Sequence, residues 1–239
     1  MTEPTFRVAM GIPYYRSVEG PTLLSCMHLS ALSADAKIAM LPIGTSGCYI
    51  EDNRNGCVEY ALNTGIDFTH FLWIDGDMIF PGNALIRLLA ADKDIVGANY
   101  RQRTPPFKHA GVYKELATKA LLLSDDLHEM VQMPTGLLLT RFDIYRKMGY
   151  PWFKPGLHSE PRDDIYFCRR ATELGYGIWC DNALSKEVQH ITVQQLPWFD
   201  PEQLIEPGTE IDNVKAAAAG RERAAKSRAS FEAATRSAA

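Results

Sequence analysis

The sequence predicts an α/β protein in which a mostly parallel central sheet is flanked by helices. The first observation is an uninterrupted apolar run over residues 71–74, which is typical of a strand buried on both faces. The second is that strand patterns alternate with helical patterns through residues 6–98, an order that favours parallel strands joined by helices. The third is size and composition, because 239 residues with 46% hydrophobic residues suffice for one globular core.

The alternation begins with a strand predicted over residues 6–12 and a helix that opens at Pro21. The apolar residues at helical spacing in this helix are Leu23, Leu24, Met27, Ala31 and Leu32. A second strand is predicted over residues 37–43. Residues 51–53 can cap the next helix, which runs to about residue 62. The predicted buried stripe of that helix consists of Cys57, Tyr60 and Ala61.

The central strand over residues 71–74 comes next, and a helix is predicted to begin at Pro81. The inward-facing residues of this helix are Leu85, Leu88 and Leu89. Residues 94–98 form the fourth predicted strand. Because ligands of open α/β sheets bind beyond the carboxyl ends of the strands, we expect the functional cleft where the central strand ends.

The pattern changes after Tyr100. Residues 101–106 form a basic loop that contains prolines, and residues 107–132 leave a hairpin or an edge insertion open. A strand pattern over residues 131–140 is interrupted by Pro134-Thr135-Gly136, which predicts an edge or bulged strand.

Shorter elements follow. A helix over residues 142–148 is closed by Gly149, and a second helix starts at Asp163 or Asp164 and ends at Gly175. Strands are predicted over residues 176–180 and 187–191. From about residue 213 the chain is rich in Ala, Arg and Lys, which predicts a surface helix or a disordered tail.

Composition narrows the classes of partner. The formal net charge is −4, so no bulk attraction to nucleic acid or to an anionic membrane is expected. No apolar run approaches transmembrane length, and the N-terminus lacks the basic-then-apolar pattern of a secretory signal. Five scattered cysteines without a C-x-x-C pair argue against a zinc cluster or a disulfide framework. We therefore expect a cytoplasmic protein without stable membrane insertion.

Two aspartates separated by a glycine follow the central apolar strand. Asp75 and Asp77 repel each other, so a chain that places both directly after a buried strand normally brings a cation to that point. Gly76 allows a tight turn and the close approach of a ligand. We interpret the tripeptide as a divalent-metal site that holds the phosphates of a nucleotide, with a solvated Asp-Gly turn as the alternative.

Three motifs carry a resemblance to a known family. Phe-Leu-Trp-Ile-Asp75-Gly-Asp77-Met resembles the D-x-D motif of glycosyltransferases with the GT-A fold. Pro-Thr-Gly-Leu-Leu-Leu-Thr-Arg, residues 134–141, resembles the strand behind the family's acceptor site. Asp-Asp-Ile-Tyr-Phe-Cys-Arg-Arg-Ala, from residue 163 and closed by Gly175, resembles the family's acidic-pair block. In this order over roughly the first two hundred residues, the set is most similar to family 2 of the nucleotide-sugar-dependent transferases.

The resemblance implies a metal site and a catalytic base. An Mn²⁺ or Mg²⁺ ion would be held by Asp75, Asp77 and His190, with a nucleotide-diphosphate sugar as donor substrate. Such an ion stabilises the negative charge of the departing diphosphate as a Lewis acid. Asp164 is implied as the base that deprotonates the acceptor hydroxyl. Because the pair reads Asp-Asp where the family has Glu-Asp, Asp163 stays open as the alternative base.

The resemblance also implies residues that contact the donor, and the chemistry of other residues indicates candidates for acceptor binding. The donor-binding candidates are Pro13, Tyr14, Arg54, Ile74, Asp75, Gly76 and Asp77. The acceptor-binding candidates are Arg101, Arg103, Gly136, Trp152 and Trp198. Among these, basic side chains suit phosphates and exposed aromatic rings stack on sugars. Residues 191–200 are a candidate lid over bound nucleotide.

The implied organisation is one GT-A domain over residues 1–205, with a nucleotide-binding half over 1–100 and an acceptor-binding half over 101–205. Residues 206–239 would form the tail. The implied activity is inverting, and it is non-processive because no clear Q-x-x-R-W motif is present.

Several alternatives stay open at this level. One is a catalytically inactive module that binds sugar nucleotide, and another is a sugar-phosphate nucleotidyltransferase, although the expected Gly-rich phosphate loop after the first strand is absent. The acceptor is left open among a glycan, a lipid-linked sugar, a small metabolite and a modified DNA base. A homo-oligomer is also left open.

Overall fold

The structure is a computed structural model that describes residues 5–103, 105–156 and 163–192. Apart from residues 105–108, these belong to one compact unit. The predicted tail over 206–239, Trp198 and residues 193–200 of the predicted lid lie outside the described residues.

Strands and helices alternate in the order that the sequence pattern predicts. The strands in the described ranges are β1 (Phe6–Tyr14), β2 (Ile38–Ser46), β3 (His70–Ile74), β4 (Met78–Ile79), β5 (Ile95–Gly97), β6 (Val112–Tyr113), β7 (Leu127–Gln132), β8 (Leu137–Arg141), β9 (Ile178–Asp181) and β10 (Gln189–His190). The helices there are α1 (Gly20–Asp35), α2 (Ile50–Asn63), α3 (Ala84–Ala90), α4 (Lys119–Leu123), α5 (Asp143–Met148), α6 (Asp163–Glu173) and α7 (Asn182–Ser185).

Eight strands form one mixed sheet in the order β2-β1-β3-β8-β5-β9-β7-β6, and β10 pairs with β4 in a separate ribbon. Strands β2, β1 and β3 run parallel, as do β5 and β9. Strand β8 is antiparallel to both β3 and β5, and β7 is antiparallel to β9 and β6. The α/β class is confirmed, and the expected mostly parallel pairing holds around β1 but not across the whole sheet.

The sequence misplaced the strand that follows residue 130. We expected one edge or bulged strand over residues 131–140, and this is wrong. Pro134, Thr135 and Gly136 separate two strands, and the second of them, β8, lies in the middle of the sheet. Its three leucines, Leu137–Leu139, are buried, and β3 and β5 pair with the strand on both sides. A hairpin or an edge insertion was predicted for residues 107–132. In the structure β6 and β7 pair there as antiparallel strands at the edge of the sheet.

Strand β3 supplies side chains to two separate cores. Leu72 and Ile74 join a cluster that includes Leu29 of α1 and Leu85 of α3. The alternate residues, Phe71 and Trp73, point to the opposite face, where they stack on each other with ring centroids 4.3 Å apart. Because successive strand residues face opposite sides of a sheet, full burial of this strand requires helices on both faces.

The aromatic core continues from β3 into α5 and α6. Tyr145 accepts a hydrogen bond of 2.7 Å from the Trp73 indole N–H and stacks on Phe167 at 5.8 Å. Phe153 packs edge-on against Trp73 and stacks on Phe167 at 5.2 Å. These rings fix the loop after α5 and the start of α6 against the back of β3.

Helix α1 forms where predicted, but its apolar stripe faces outward. The residues that it buries are Thr22, Ser25, Cys26, Leu29 and Ser33. The exposed ones include Leu23, Leu24, Met27 and Leu32. Small side chains on the inner face let the helix approach the fold closely, and the Ser25 hydroxyl accepts a hydrogen bond from the Phe80 amide. In α2, Cys57 and Ala61 are buried as predicted, whereas Tyr60 is exposed.

The remaining short elements agree with the sequence pattern. Helix α3 begins at Ala84 rather than at the predicted Pro81, and it buries Leu85, Leu88 and Leu89 as predicted. Gly149 and Gly175 adopt positive φ angles of 68° and 87° where α5 and α6 end, a conformation that favours glycine. No helix in the described part of the chain is long and apolar enough to cross a membrane.

We expect Gly97→Ala to lower the free energy of unfolding by about 1–3 kcal/mol, because the added methyl group overpacks the centre of the sheet. A Cβ at Gly97 would lie 2.5 Å from the carbonyl oxygen of Leu137. Gly20→Ala is the matched control, since among the described residues a Cβ at Gly20 meets no atom within 4 Å. Urea unfolding of both variants measures the difference. Equal stability of the two would contradict the described packing of β5 against β8.

Candidate active site

A cleft of about 520 Å³ opens where β1 and β3 end. It receives most of the site residues that the sequence predicts. Those lining it are Pro13, Tyr14, Arg54, Asp75, Gly76, Asp77, Arg103, Asp163, Asp164 and His190. Residues separated by more than a hundred positions therefore meet at the edge of the sheet where the α/β pattern placed the functional cleft.

The turn Asp75-Gly76-Asp77 joins β3 to β4, and backbone hydrogen bonds hold it in place. The Asp75 amide donates to the Gly136 carbonyl at 3.1 Å. The Gly76 carbonyl accepts from the Glu19 amide at 2.8 Å. The positions of the two carboxylates thus depend on the start of β8 and on the residue before α1.

His190 reaches the turn through the ribbon formed by β4 and β10. His190 pairs with Met78, and the Ile191 amide donates to the Asp77 carbonyl at 2.8 Å. The His190 Nδ1 atom lies 2.9 Å from the Arg101 carbonyl oxygen. Because a carbonyl only accepts, Nδ1 carries the proton and Nε2 faces Asp77. Metal-binding histidines are oriented by this kind of hydrogen bond.

The contact between His190 and Asp77 needs a positive charge to be favourable. The His190 Nε2 atom lies 3.5 Å from Asp77 Oδ2. A carboxylate and a nitrogen lone pair repel at this distance unless Nε2 is protonated or a cation lies between them. Burial alone would raise the pKa of Asp77. The hydrogen bond and charge of His190 and the charge of Arg103 outweigh this effect, so the pKa of Asp77 lies below its usual value. Asp77 is therefore an anion placed to attract a cation.

Arg54 of α2 bridges two carboxylates from different elements. Its side chain is only 6% exposed. One nitrogen donates to Asp75 Oδ1 at 2.9 Å, and the other forms an ion pair with Asp163. The guanidinium also lies over the Phe153 ring, 5.7 Å from its centroid. Arg54 was predicted to bind the donor substrate directly. In this structure its N–H groups are instead directed at Asp75 and Asp163.

The neighbours of Arg54 hold two further walls of the cleft. Asn53 donates to the carbonyl oxygens of Tyr14 and Gly47, both at 3.2 Å. Asn55 donates to the Phe153 carbonyl at 2.9 Å and accepts from the amides of residues 152 and 153. Sequence analysis gave Asn53 only a capping role and gave Asn55 none. The only feature of the sequence that could have indicated these roles is the run of three polar residues, 53–55, near the start of α2.

Asp163 and Asp164 begin α6 but lie in different surroundings. Asp163 pairs with Arg54, whereas one carboxylate oxygen of Asp164 accepts a hydrogen bond of 2.8 Å from the Ile165 amide. Burial raises the pKa of Asp164, and this outweighs the opposing effect of the Arg54 charge. A carboxylate with a raised pKa is a better proton acceptor than an ordinary aspartate.

Two predicted acceptor residues are buried. Trp152 is 5% exposed, and its indole N–H donates to the Tyr145 carbonyl at 2.8 Å. The expectation of an exposed ring at Trp152 is therefore wrong, because the aromatic core takes it up. Arg101 is also 5% exposed, and it contributes its backbone carbonyl to His190. Arg101 was predicted to bind the acceptor from the basic loop, but it is buried and is not among the residues that line the cleft.

Two other predicted residues support the site from behind. Ile74 is fully buried in the core, so its side chain does not reach the cleft and the donor-binding expectation for that side chain is wrong. The Gly136 amide donates to the Tyr100 hydroxyl at 3.0 Å, and a Cβ at Gly136 would overlap that hydroxyl. Gly136 is needed for this close approach, and through its carbonyl it positions Asp75.

Other residues line the cleft although the sequence analysis assigned none of them a role in binding. They are Tyr15, Arg16, Ser17, Glu19, Ile50, Tyr100 and Thr135. Thr135 is 1% exposed, and within the described residues its hydroxyl has no hydrogen-bond partner. Thr135 was part of a recognised motif, whereas the others are single loop or helix positions without a periodic pattern.

The three predicted metal ligands are not gathered as one cluster. Within the ranges that the structure describes, no group of three or more histidine, cysteine, aspartate or glutamate side chains is placed to hold one ion. Asp75 is paired with Arg54, while Asp77 and His190 face each other. The structure thus offers a pair of side chains, Asp77 and His190, as candidate ligands.

Comparison with known proteins gives a fold. No protein-family model matches the chain, and no curated protein matches it. Among solved structures it is similar to A197 from STIV, with a TM-score of 0.55 and 14% identity over 84% of this chain and 99% of that chain. It is also similar to the catalytic domain of Drosophila β1,4-galactosyltransferase 7 in complex with xylobiose, with a TM-score of 0.51 and 14% identity over 87% and 84%. The chain has a GT-A fold.

A third GT-A structure adds a view of bound ligands. GalNAc-T7 with UDP, GalNAc and Mn²⁺ matches with a TM-score of 0.50 and 9% identity, over 86% of this chain and 46% of that chain. At such low identities the similarity establishes the GT-A fold alone. The chemistry has to be argued from this chain's own cleft.

We expect Arg54→Met to lower the free energy of unfolding by about 3–5 kcal/mol, because it leaves two largely buried carboxylates without their partner. Arg141→Met is the matched control. Arg141 also pairs with two carboxylates, Asp92 and Asp94, but its side chain is 42% exposed. Such exposed pairs contribute about 0–1 kcal/mol. Urea unfolding checks the contrast, and similar losses in both variants would contradict a buried bridge at Arg54.

Proposed function

We propose that this protein is a metal-dependent glycosyltransferase that moves a sugar from a nucleotide-diphosphate donor to an acceptor hydroxyl. The observation that carries the proposal is the Asp77–His190 pair, in which an anionic carboxylate faces an imidazole oriented by the Arg101 carbonyl. The pair lies in a GT-A cleft at the end of β3. The similar GalNAc-T7 structure, which contains UDP, GalNAc and Mn²⁺, supports this kind of donor and ion.

The donor atoms fit a divalent ion. Two ligands about 2.1 Å from an octahedral ion, at right angles to each other, are about 3 Å apart. Asp77 Oδ2 and His190 Nε2 are 3.5 Å apart, so a small shift of either side chain suffices. A carboxylate together with an imidazole suits Mn²⁺, and the phosphates and water complete the coordination of such ions.

Asp77 and His190 would therefore hold the ion, and the carboxylate of Asp75, fixed by Arg54, would contact hydroxyl groups of the donor. When bound, the ion supplies charge stabilisation for the departing diphosphate. Pro13 and Tyr14, which line the same cleft at the end of β1, are placed to contact the nucleoside.

Asp164 is the proposed base that removes the proton from the acceptor hydroxyl. Arg54 engages Asp163, so Asp164 is the member of the pair left to take a proton from the acceptor hydroxyl. Burial raises the pKa of Asp164, which strengthens it as a base. One base acting on one hydroxyl fits a single displacement with inversion of the sugar, as the resemblance implies.

Nucleotide binding is tested by thermal melting against a panel of nucleoside diphosphates, with and without Mn²⁺. We expect at least one diphosphate to raise the melting temperature only with metal, because a ligand of the native state stabilises it by mass action. Asp77→Asn should abolish this shift. Asp125→Asn, at an 80% exposed carboxylate, is the control that should preserve it. A panel without any metal-dependent shift would overturn the transferase proposal.

Catalysis is tested with Asp164→Asn. We expect turnover to fall about 10²- to 10⁴-fold, the usual contribution of a positioned base, while the metal-dependent melting shift stays. Because the pKa of Asp164 is raised, the acidic limb of the wild-type pH–rate profile should lie above the ordinary aspartate value of about 3.9. Hydrolysis or transfer of the donor sugar provides the measurement. Binding with no turnover in the wild type would instead favour an inactive sugar-nucleotide-binding module.

A further inference from the structure

The oxygen assigned to the metal already has a cation on it. Arg103 forms an ion pair with Asp77 Oδ2 at 2.6 Å. The same oxygen is the one that faces His190 Nε2 at 3.5 Å. A guanidinium and a divalent ion at one carboxylate oxygen repel each other, so metal binding at Asp77 has to weaken or displace the Arg103 contact.

Arg103 is exposed to solvent, in contrast to the other arginine of the site. Its side chain is 59% exposed, whereas that of Arg54 is 6% exposed. Two residues before it, Arg101 is fixed by a backbone bridge to His109 and by the hydrogen bond from His190. The backbone near Arg103 is thus held at Arg101, while the exposed Arg103 side chain lines the cleft.

A nucleotide diphosphate would give the displaced guanidinium a better partner. Phosphate oxygens match the planar fork of an arginine and form charge-assisted hydrogen bonds with it. Arg103 lines the cleft beside Asp77, so the phosphates of a donor held there by a metal come within reach of its side chain.

We propose that Arg103 couples metal binding to diphosphate binding. Without nucleotide, the guanidinium competes with the ion for Asp77. With the diphosphate present, the guanidinium transfers to phosphate oxygens and leaves Asp77 to the metal. Each ligand then favours the other, and the coupling is reciprocal. This inference rests on the proposed function, because it takes Asp77 as a metal ligand and a diphosphate as part of the donor.

The proposal requires two effects of opposite sign from one substitution. Arg103→Gln removes the competitor, so the affinity for Mn²⁺ alone should rise about two- to fivefold, the strength of an exposed ion pair. The same variant loses its charge-assisted hydrogen bonds to phosphate, so the affinity for a diphosphate with Mn²⁺ should fall about tenfold or more. A structural defect would weaken both.

The experiment measures both affinities on the full chain. Free Mn²⁺ is followed by electron paramagnetic resonance, and inorganic pyrophosphate titrated at constant Mn²⁺ is followed by thermal melting. Arg16→Gln is the matched control. Arg16 lines the same cleft, and its guanidinium lies over the Tyr15 ring at 5.0 Å. The Arg16→Gln substitution removes the same charge but leaves the ion pair between Arg103 and Asp77 in place. Its effect on the affinity for Mn²⁺ alone should therefore be smaller than that of Arg103→Gln.

The outcomes separate this inference from the proposed function. Tighter Mn²⁺ together with weaker pyrophosphate in Arg103→Gln, with no comparable tightening of Mn²⁺ in Arg16→Gln, supports the coupling. Wild-type binding of Mn²⁺ and pyrophosphate with unchanged affinities in Arg103→Gln, or with both affinities lowered, overturns the coupling and leaves the proposed function standing. Failure of the wild type to bind either ligand overturns both. The unliganded variant should melt within about 2 °C of the wild type, as exposed substitutions do.

Discussion

Arg54 brings a full positive charge into the interior, and the cleft is arranged around the need to neutralise it. A buried charge without a partner costs several kcal/mol, so the guanidinium requires both Asp75 and Asp163. These carboxylates come from the end of β3 and the start of α6, which are far apart in sequence. Asn53 and Asn55 add hydrogen bonds to the end of β1 and to the loop after α5. A short stretch of α2 therefore fixes the relative positions of the cleft walls.

Burial divides the charged side chains of the cleft into fixed and movable ones. Arg54 and Arg103 each pair with an aspartate of the same turn, but only Arg103 is exposed to solvent. An exposed ion pair is weak and gives way to a stronger electrostatic partner, whereas a buried bridge does not. A binding site for a polyanion and a cation needs both kinds. In the proposed site, the buried bridge would maintain the geometry and the exposed pair would respond to the ligand.

The sequence predicted the parts of the fold that depend on local pattern, and it missed the parts that depend on tertiary partners. The apolar run of β3 and the carboxylates after it were visible because strand burial and strand ends leave local marks. The central place of β8 was not visible in the sequence. Pro134 and Gly136 look like the interruption of an edge strand, and only the structure shows that Gly136 is needed for the close approach of Tyr100. Nor does the spacing of Leu23 and Leu24 say which face of α1 packs inward; Ser25 and its small neighbours decide that.

The choice between Asp163 and Asp164 shows what the structure adds to the motif. In sequence the two are equivalent acidic residues at a helix start, each suited to favourable interaction with the helix dipole. Successive helix residues point about 100° apart, so only one of them can face Arg54. Asp163 takes that position, and Asp164 is left in a buried environment that raises its pKa. The identity of the base in the proposed reaction is therefore determined by an arginine more than a hundred residues away in sequence.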